Sequence, residues 1–330
     1  MMEKTLDLIG LANPMQDLLV DIDRLPVSNQ NMRLKEYCFQ GGGNVTTALA
    51  AAGMLGLKTS CIGVVGDDIF GYANIEDFKF NHVDTSRIVI DPGTRTDFCI
   101  AVTESSCEGK NCLSISGTCR QLAPEDLDEK YIQSAKVLHL GGLITPAAIR
   151  AAEIMHAGGG KVSIDANYYR SDVYDHYNHY DIFIASETYY KGIVADKGLD
   201  GADRESVLRY IRSQGPEIVL FTFGSEGGFG LDGDEYFEWP IFKVKTVDST
   251  GAGDVFHGAF VYCHFQGWDV KTSARFCAAV SAIKCTRQGG RAGIPTLENV
   301  LHFLNTGEMD TDELDKREFH YRHGFFGGRG

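Results

Sequence analysis

Val247-Asp248-Ser249-Thr250-Gly251-Ala252-Gly253-Asp254-Val255-Phe256-His257-Gly258-Ala259-Phe260 changes character at its midpoint. Residues 249–253 are small, so a ligand can approach the backbone closely. The apolar sequence that follows reads as a helix near Ala252–Gln266. Amide N–H groups at a helix N-terminus point outward and, with the helix dipole, favour an anion. A carboxylate in that first turn, Asp254, then needs a reason. One is chemical: it can take the proton from an attacking hydroxyl while the amides stabilise charge on a transferring phosphoryl group. The competing reading is an ordinary first-turn carboxylate. Gly-Lys-Ser/Thr is missing, so the segment is not a Walker A loop.

Outward from this point the chain alternates. Leu6–Ala12, Thr59–Val65, Val137–Leu140, Val162–Asp165, Ile182–Ala185 and Ile218–Phe223 read as strands. Gly42–Gly56, Ile69–Phe80, Ala147–His156 and Glu187–Ala195 read as helices between them. Such alternation predicts βαβ units and a mostly parallel sheet. Two further long helices are expected near Val270–Arg287 and Leu297–Leu304. Val20–Phe39 and Arg87–Arg120 break the pattern. The second contains two short strands, Thr96–Thr103 and Asn111–Ser116, around the polar turn Glu104–Lys110. Both are expected to form a small sheet beside the main domain. The division expected is therefore a main domain of 1–19, 40–86 and 121–307, a β lid of 20–39 and 87–120, and a peripheral extension of 308–330.

The chain has 330 residues, 43 % hydrophobic and 23 % charged, which excludes a mainly disordered or coiled-coil protein. With 31 Lys and Arg against 45 Asp and Glu, the formal charge is −14. General nucleic-acid binding, which relies on neutralising phosphates, is not expected, nor is an anionic membrane surface. A polyanion would have to be held by a local site. Nine cysteines, an odd number with no C-x-x-C, read as free thiols rather than disulfides or a zinc ribbon. The N-terminus does not read as a signal peptide and no apolar run is long enough for a membrane span, so a cytoplasmic protein is expected.

Asp248-Ser249-Thr250-Gly251-Ala252-Gly253-Asp254, followed by a small and apolar helix, resembles the C-terminal signature of the ribokinase-like (PfkB) carbohydrate kinases. Gly41-Gly42-Gly43-Asn44, with Ala48, Gly53 and Gly56, resembles that family's N-terminal glycine motif. The likeness extends to about Leu304. It implies a ribokinase-like α/β fold with a β-sheet lid, and phosphoryl transfer from ATP, with Mg²⁺, to a hydroxymethyl group of a sugar or sugar acid. Carried over by position, Asp254 is the catalytic base and Gly251, Ala252 and Gly253 form the anion hole. Asn13 and Asp17 match an early Asn-x-x-x-Asp whose carboxylate binds substrate hydroxyls. Gly42, Gly43 and Asn44 would line the sugar. Thr222, Gly224, Ser225 and Gly227 would lie beside the nucleotide, with Ser186 and Cys277. Asp248 and Thr250 correspond to a loop that binds a monovalent cation, K⁺, in several members.

The chain also departs from the pattern. The family's Asn-x-x-Glu, which supports Mg²⁺ and the phosphates, is replaced by Ser186-Glu187-Thr188-Tyr189, with Glu187 as the candidate to compensate. Asp165-Ala166-Asn167-Tyr168-Tyr169-Arg170 is similar to the Asp-x-Asn-x-Arg of the fructokinase and ketodeoxygluconate kinase branches, with one extra residue. Asn167, Arg170 and Arg95 are therefore candidate substrate contacts, the arginines for an anionic group. A nucleoside kinase and a catalytically silent binding protein are the alternatives. His139–Gly142 offers no aromatic platform, which ranks nucleoside below sugar. A nicotinamide oxidoreductase would need Gly-x-Gly-x-x-Gly opening the first helix, and Gly10–Asp17 lacks it. Exposed lid edges suggest pairing with a second copy, a homodimer.

Overall fold

The computed structural model describes residues 4–104, 110–199 and 201–323. Among them, thirteen strands form two sheets. In chain order these are β1 (Leu6–Leu11), β2 (Met15–Ile22), β3 (Glu36–Gly42), β4 (Thr59–Gly66), β5 (Val83–Asp91), β6 (Asp97–Glu104), β7 (Lys110–Ile115), β8 (Ala135–Gly141), β9 (Lys161–Ala166), β10 (Ile182–Ser186), β11 (Ile218–Thr222), β12 (Gly228–Asp232) and β13 (Glu235–Trp239).

The large sheet has the order β13-β12-β11-β10-β9-β8-β1-β4-β5. Its seven strands from β5 to β11 run parallel and the last two are antiparallel. The fully buried strand β4 and the apolar β8, β9 and β10 are what a sheet covered by helices on both faces requires. One layer of core packs the Ala-rich helix Asn44–Met54 against the helices Ala252–Phe265 and Val270–Lys284. The other packs Pro146–Ala157, Glu187–Asp196 and Arg204–Arg212 on the opposite face. Helix starts follow ordinary capping: Asp68, Thr145, Ser186, Asp203, Asp269 and Thr296 each accept a first-turn amide.

The small sheet has the order β3-β2-β6-β7. Its boundaries differ from those expected. The strand at 83–91 pairs in parallel with β4 at the edge of the main sheet, so Arg87–Asp91 is not lid. Its half-exposed, alternating burial hides it from a search for buried strands. Conversely, β2 and β3 start and end nearer the body than expected, so Asp17 sits on a lid strand. The turn at 105–109 and the Gly-rich end at 324–330 lie outside the described residues.

The extension is not peripheral. Helix Thr311–His323 buries Leu314, Arg317 and Tyr321 against the body. The eight described cysteines are free thiols, as expected. Among the described residues no helix is long and apolar enough to cross a membrane.

Candidate active site

Strands β1, β8, β9, β10 and β11 end on one side of the sheet, where open α/β folds place their ligands. Two cavities lie there. The first, about 540 Å³, is lined by Asn13, Gly43, Asn44, Asn167, Tyr168 and Arg170, among others, together with Asp97 of the lid. The second, about 420 Å³, is lined by Thr222, Gly224, Ser225, Gly227, Ala252 and Gly253, with Trp239 and Phe256 on one wall and Ala278, Ser281 and Ala282 on another.

Asp254 sits at the start of helix Ala252–Phe265, whose first residues line the second cavity. Gly251, the N-cap, has φ 76°, a left-handed conformation that glycine adopts without strain. The Ala252 N–H turns back to the Ser249 carbonyl at 3.1 Å, so it is engaged within the turn. This corrects the expected place of the Ala252 amide in an anion hole. Gly253 is exposed, and a Cβ there would meet nothing within 4 Å.

One turn further along, His257 is 4 % exposed and its Nε2 lies 3.1 Å from Asp165 Oδ1. Asn44 Nδ2 donates to Asp165 Oδ2 at 3.0 Å. The Asn167 amide, in the orientation that satisfies both its ends, donates to Asp165 Oδ1 at 2.7 Å. Asp165 therefore organises two of the expected substrate contacts from below. Burial works to raise its carboxyl, but His257, His139 and Asn44 outweigh this and hold it below the usual range. His139, packed beneath His257, is pushed down to about 3 by burial. Burial, then the like charge of Asp165, pushes Asp254 up to about 7, against the pull of His257, Lys284 and Arg291. A carboxyl so poised suits a general base.

The glycine motif is braced from behind. The Gly41 N–H donates to Asp77 Oδ2 at 3.0 Å, and Arg291 Nη2 donates to the Gly42 carbonyl at 3.2 Å. Asp77 and Arg291 form a fully buried ion pair. Tyr321 donates to Asp77 Oδ1 at 2.7 Å, and Arg317 reaches Asn81 at 2.7 Å and the Arg291 carbonyl at 3.2 Å. In front, a Cβ on Gly42 would lie 2.3 Å from Asp17 Oδ2, so only glycine lets that carboxylate lie against the loop.

Other expected residues stand elsewhere. Asn13 lines the first cavity, but its amide is engaged with the backbone of Val64 at 3.0 Å and Arg120 at 3.3 Å. Arg95 is exposed and lines neither cavity. Ser186 is a helix cap that accepts from the Tyr189 N–H at 3.2 Å and donates to the Asn167 carbonyl, and it does not line the second cavity. Cys277 is fully buried in the core. Its helix turns Ala278, Ser281 and Ala282 to the cleft instead. Glu187 is on the surface, 2.6 Å from Lys191, which does not fit a Mg²⁺ ligand. Tyr189 is buried core. Among the described residues no three His, Cys, Asp or Glu converge to hold a metal.

A monovalent ion on Asp248 and Thr250 does not fit either. The Asp248 carboxylate accepts the Thr250 N–H at 2.8 Å and the Gly289 N–H at 2.9 Å. Both residues' carbonyls accept from the ammonium of Lys284. His257, Lys284 and the Asp77–Arg291 pair were missed from sequence, and Asp165 stands there only as the first residue of the Asp165–Arg170 motif. Only His257, three residues after Asp254 and so on the same helix face, left a signal.

A helix start with a carboxylate raised to about 7, and two cavities at the same end of the sheet, suit phosphoryl transfer to a small molecule. The chain belongs to the pfkB family of carbohydrate kinases, which matches residues 4–297. It is a sugar or nucleoside kinase of that family. It is 27 % identical over 298 residues to a ribokinase of Staphylococcus aureus, covering 89 % of this chain and 97 % of that one. It is 24 % identical over 301 residues to a nucleoside kinase of Methanothermobacter thermautotrophicus, covering 89 % and 94 %. Among solved structures, a candidate ribokinase II of E. coli in complex with ATP and Mg²⁺ superposes with a TM-score of 0.78 at 22 % identity, over 91 % of this chain and 99 % of that one. The fold is thus the ribokinase fold.

Proposed function

We propose that the chain transfers the γ-phosphoryl group of ATP to a hydroxymethyl group of a sugar or sugar acid, with Asp254 as general base. The observation that carries this is Asp254, a carboxyl raised to about 7 in the first turn of the helix whose Ala252 and Gly253 line the second cleft, although Asp254 itself lines neither cavity. ATP fits the second cleft: Thr222, Gly224, Ser225 and Gly227 leave backbone room for its phosphates, and Trp239 and Phe256 offer an apolar wall. Mg²⁺ bound with the nucleotide would supply charge neutralisation for the phosphates; among the described residues no three His, Cys, Asp or Glu form a cage for it. The acceptor lies in the first cavity. Asp17 and Asn44 orient its hydroxyls, Arg170 meets an acidic group, and Asp254 accepts the hydroxyl proton as the oxygen attacks in line. Gly251 and Gly253 amides stabilise the charge that develops on the transferring group.

A nucleoside acceptor is the second reading. Tyr168, 67 % exposed, lines the first cavity and offers the stacking face that His139–Gly142 lacks. The lid supports a homodimer. Leu18, Ile100 and Leu113 share one face of the small sheet by their register. Leu113 and Ile115 are 63 % and 52 % exposed, and β3 and β7 are its edges.

The test is ADP release from ATP and Mg²⁺ across ketoses, aldoses, sugar acids, sugar phosphates and nucleosides. A single strong acceptor is expected. Asp254→Asn should lower its kcat by about 10²–10⁴-fold while ATP still binds. Undiminished turnover in that variant, or silence across the panel, refutes the proposal.

A further inference from the structure

Lys284 is the last residue of helix Val270–Lys284 and is fully buried. An ammonium taken out of water is costly unless its donors are matched. Here it donates to the Asp248 carbonyl at 2.9 Å and to the Thr250 carbonyl, and the C-terminal end of its own helix favours a cation. The two carbonyls bracket Ser249, just before the left-handed Gly251. Asp248 completes the tie. Its carboxylate accepts from the Thr250 N–H and hydroxyl, at 2.8 and 2.6 Å, and from the Gly289 N–H at 2.9 Å. The ring of oxygens at which the family resemblance would place a free monovalent ion thus already faces a positive charge that belongs to the chain. That charge also acts on Asp254, pulling its carboxyl down.

We infer that Lys284 is a built-in replacement for a monovalent cation: its ammonium holds the Asp248–Gly251 loop and places positive charge behind the Gly251–Gly253 anion hole, so that the enzyme works without K⁺. Lys284 is a positioning residue in this account, since it reaches the reaction through the loop. The inference rests on the kinase reading given above, and it also makes a claim about ion binding that stands apart from turnover.

The experiment compares KCl with N-methyl-D-glucamine chloride at equal ionic strength, reading both phosphotransfer and the thermal unfolding midpoint. An ion that binds the folded state raises the midpoint with its concentration. For the wild type, kcat and midpoint should be the same in both salts. Lys284→Ala uncovers the carbonyls. It should lose on the order of 10²-fold in kcat in the K⁺-free salt, as removal of an anion-hole donor does, and regain activity and midpoint as KCl or NH₄Cl is added. A wild type that needs K⁺ for turnover, or that K⁺ stabilises over the control, overturns the inference. So does a Lys284→Ala variant indifferent to K⁺ in both readouts. If that variant does not fold, the wild-type comparison decides alone. If the wild type shows no turnover in either salt with any acceptor, the kinase reading fails, and the midpoints still test the ion site.

Discussion

Replacing Asp254 with Asn tests the electrostatics of the site through stability. Burial, then the charge of Asp165, moves its carboxyl from 3.8 up to about 7. A carboxyl whose folded value lies above its unfolded one binds more protons when folded. Its ionisation therefore opposes folding: the penalty is absent at low pH, enters as pH rises past 3.8, and has its full size above about 7. A shift of about three pH units corresponds to about 4 kcal/mol. Asp254 is half-buried, and water in the cleft screens part of this, leaving roughly 2–3 kcal/mol. Asn carries no charge, so Asp254→Asn should be the more stable protein, by a margin that widens by about 1–2 kcal/mol between pH 5 and pH 8. Urea unfolding of both proteins at the two pH values measures the margin from the midpoints and slopes. A margin that does not change with pH, or that narrows as pH rises, would show that Asp254 is not a strained carboxylate and would remove the physical basis for its role.

The same carboxyl must be ionised to accept a proton, so kcat/KM for the best acceptor should fall as pH is lowered through about 7. A rate independent of pH across that region argues for a different base. Tyr321→Phe removes the hydroxyl that donates to the buried Asp77 at 2.7 Å. It should cost about 1–2 kcal/mol in urea unfolding, and a change within error would deny the C-terminal helix its bracing role. Leu113→Asp puts a charge on the outer face of the lid and should convert a dimer to monomer in light scattering. A wild type already monomeric at micromolar concentration would dispose of the lid interface.

Most of the main sheet is legible from sequence because its strands are short apolar runs and its helices are capped and Ala-rich. The helix read at Ile69–Phe80 has those bounds in the structure. The lid boundaries were misplaced for a physical reason. Strand β5 is half-exposed and resembles a lid strand, while β2 and β3 carry polar residues, among them Asp17 and the buried Gln40, that extend them past the apolar runs. In the site, the residues on the glycine loops were found because backbone approach demands small side chains in sequence. The groups that act on those loops from a distance were not. Gln288, Arg291 and Tyr321 meet β2, β3 or Asp77 across more than 200 residues of chain, and no local pattern encodes such a contact. Cys277 shows the converse error. Being near the right helix is not enough, because the face that meets the cleft is one residue further on.

The distant partners bear on the state of the Asp254 carboxyl. A chain of net charge −14 repels a polyanion from its surface, and burial alone would leave Asp254 protonated at neutral pH, unable to accept a proton. Two buried cations counter this locally. Lys284 stands behind the anion-hole loop and Arg291 behind the glycine motif, and with His257 both pull the Asp254 carboxyl down against burial and Asp165. Buried charges are screened by salt far less than exposed ones, so this arrangement holds where the surface field would not. The value near 7 is therefore a balance. If either cation is removed, the base moves towards its protonated form and the loop beside it loses its tie at the same time. The same two side chains thus hold the backbone and contribute to the proton affinity, after burial, Asp165 and His257, and neither lies in the motif that reveals the site.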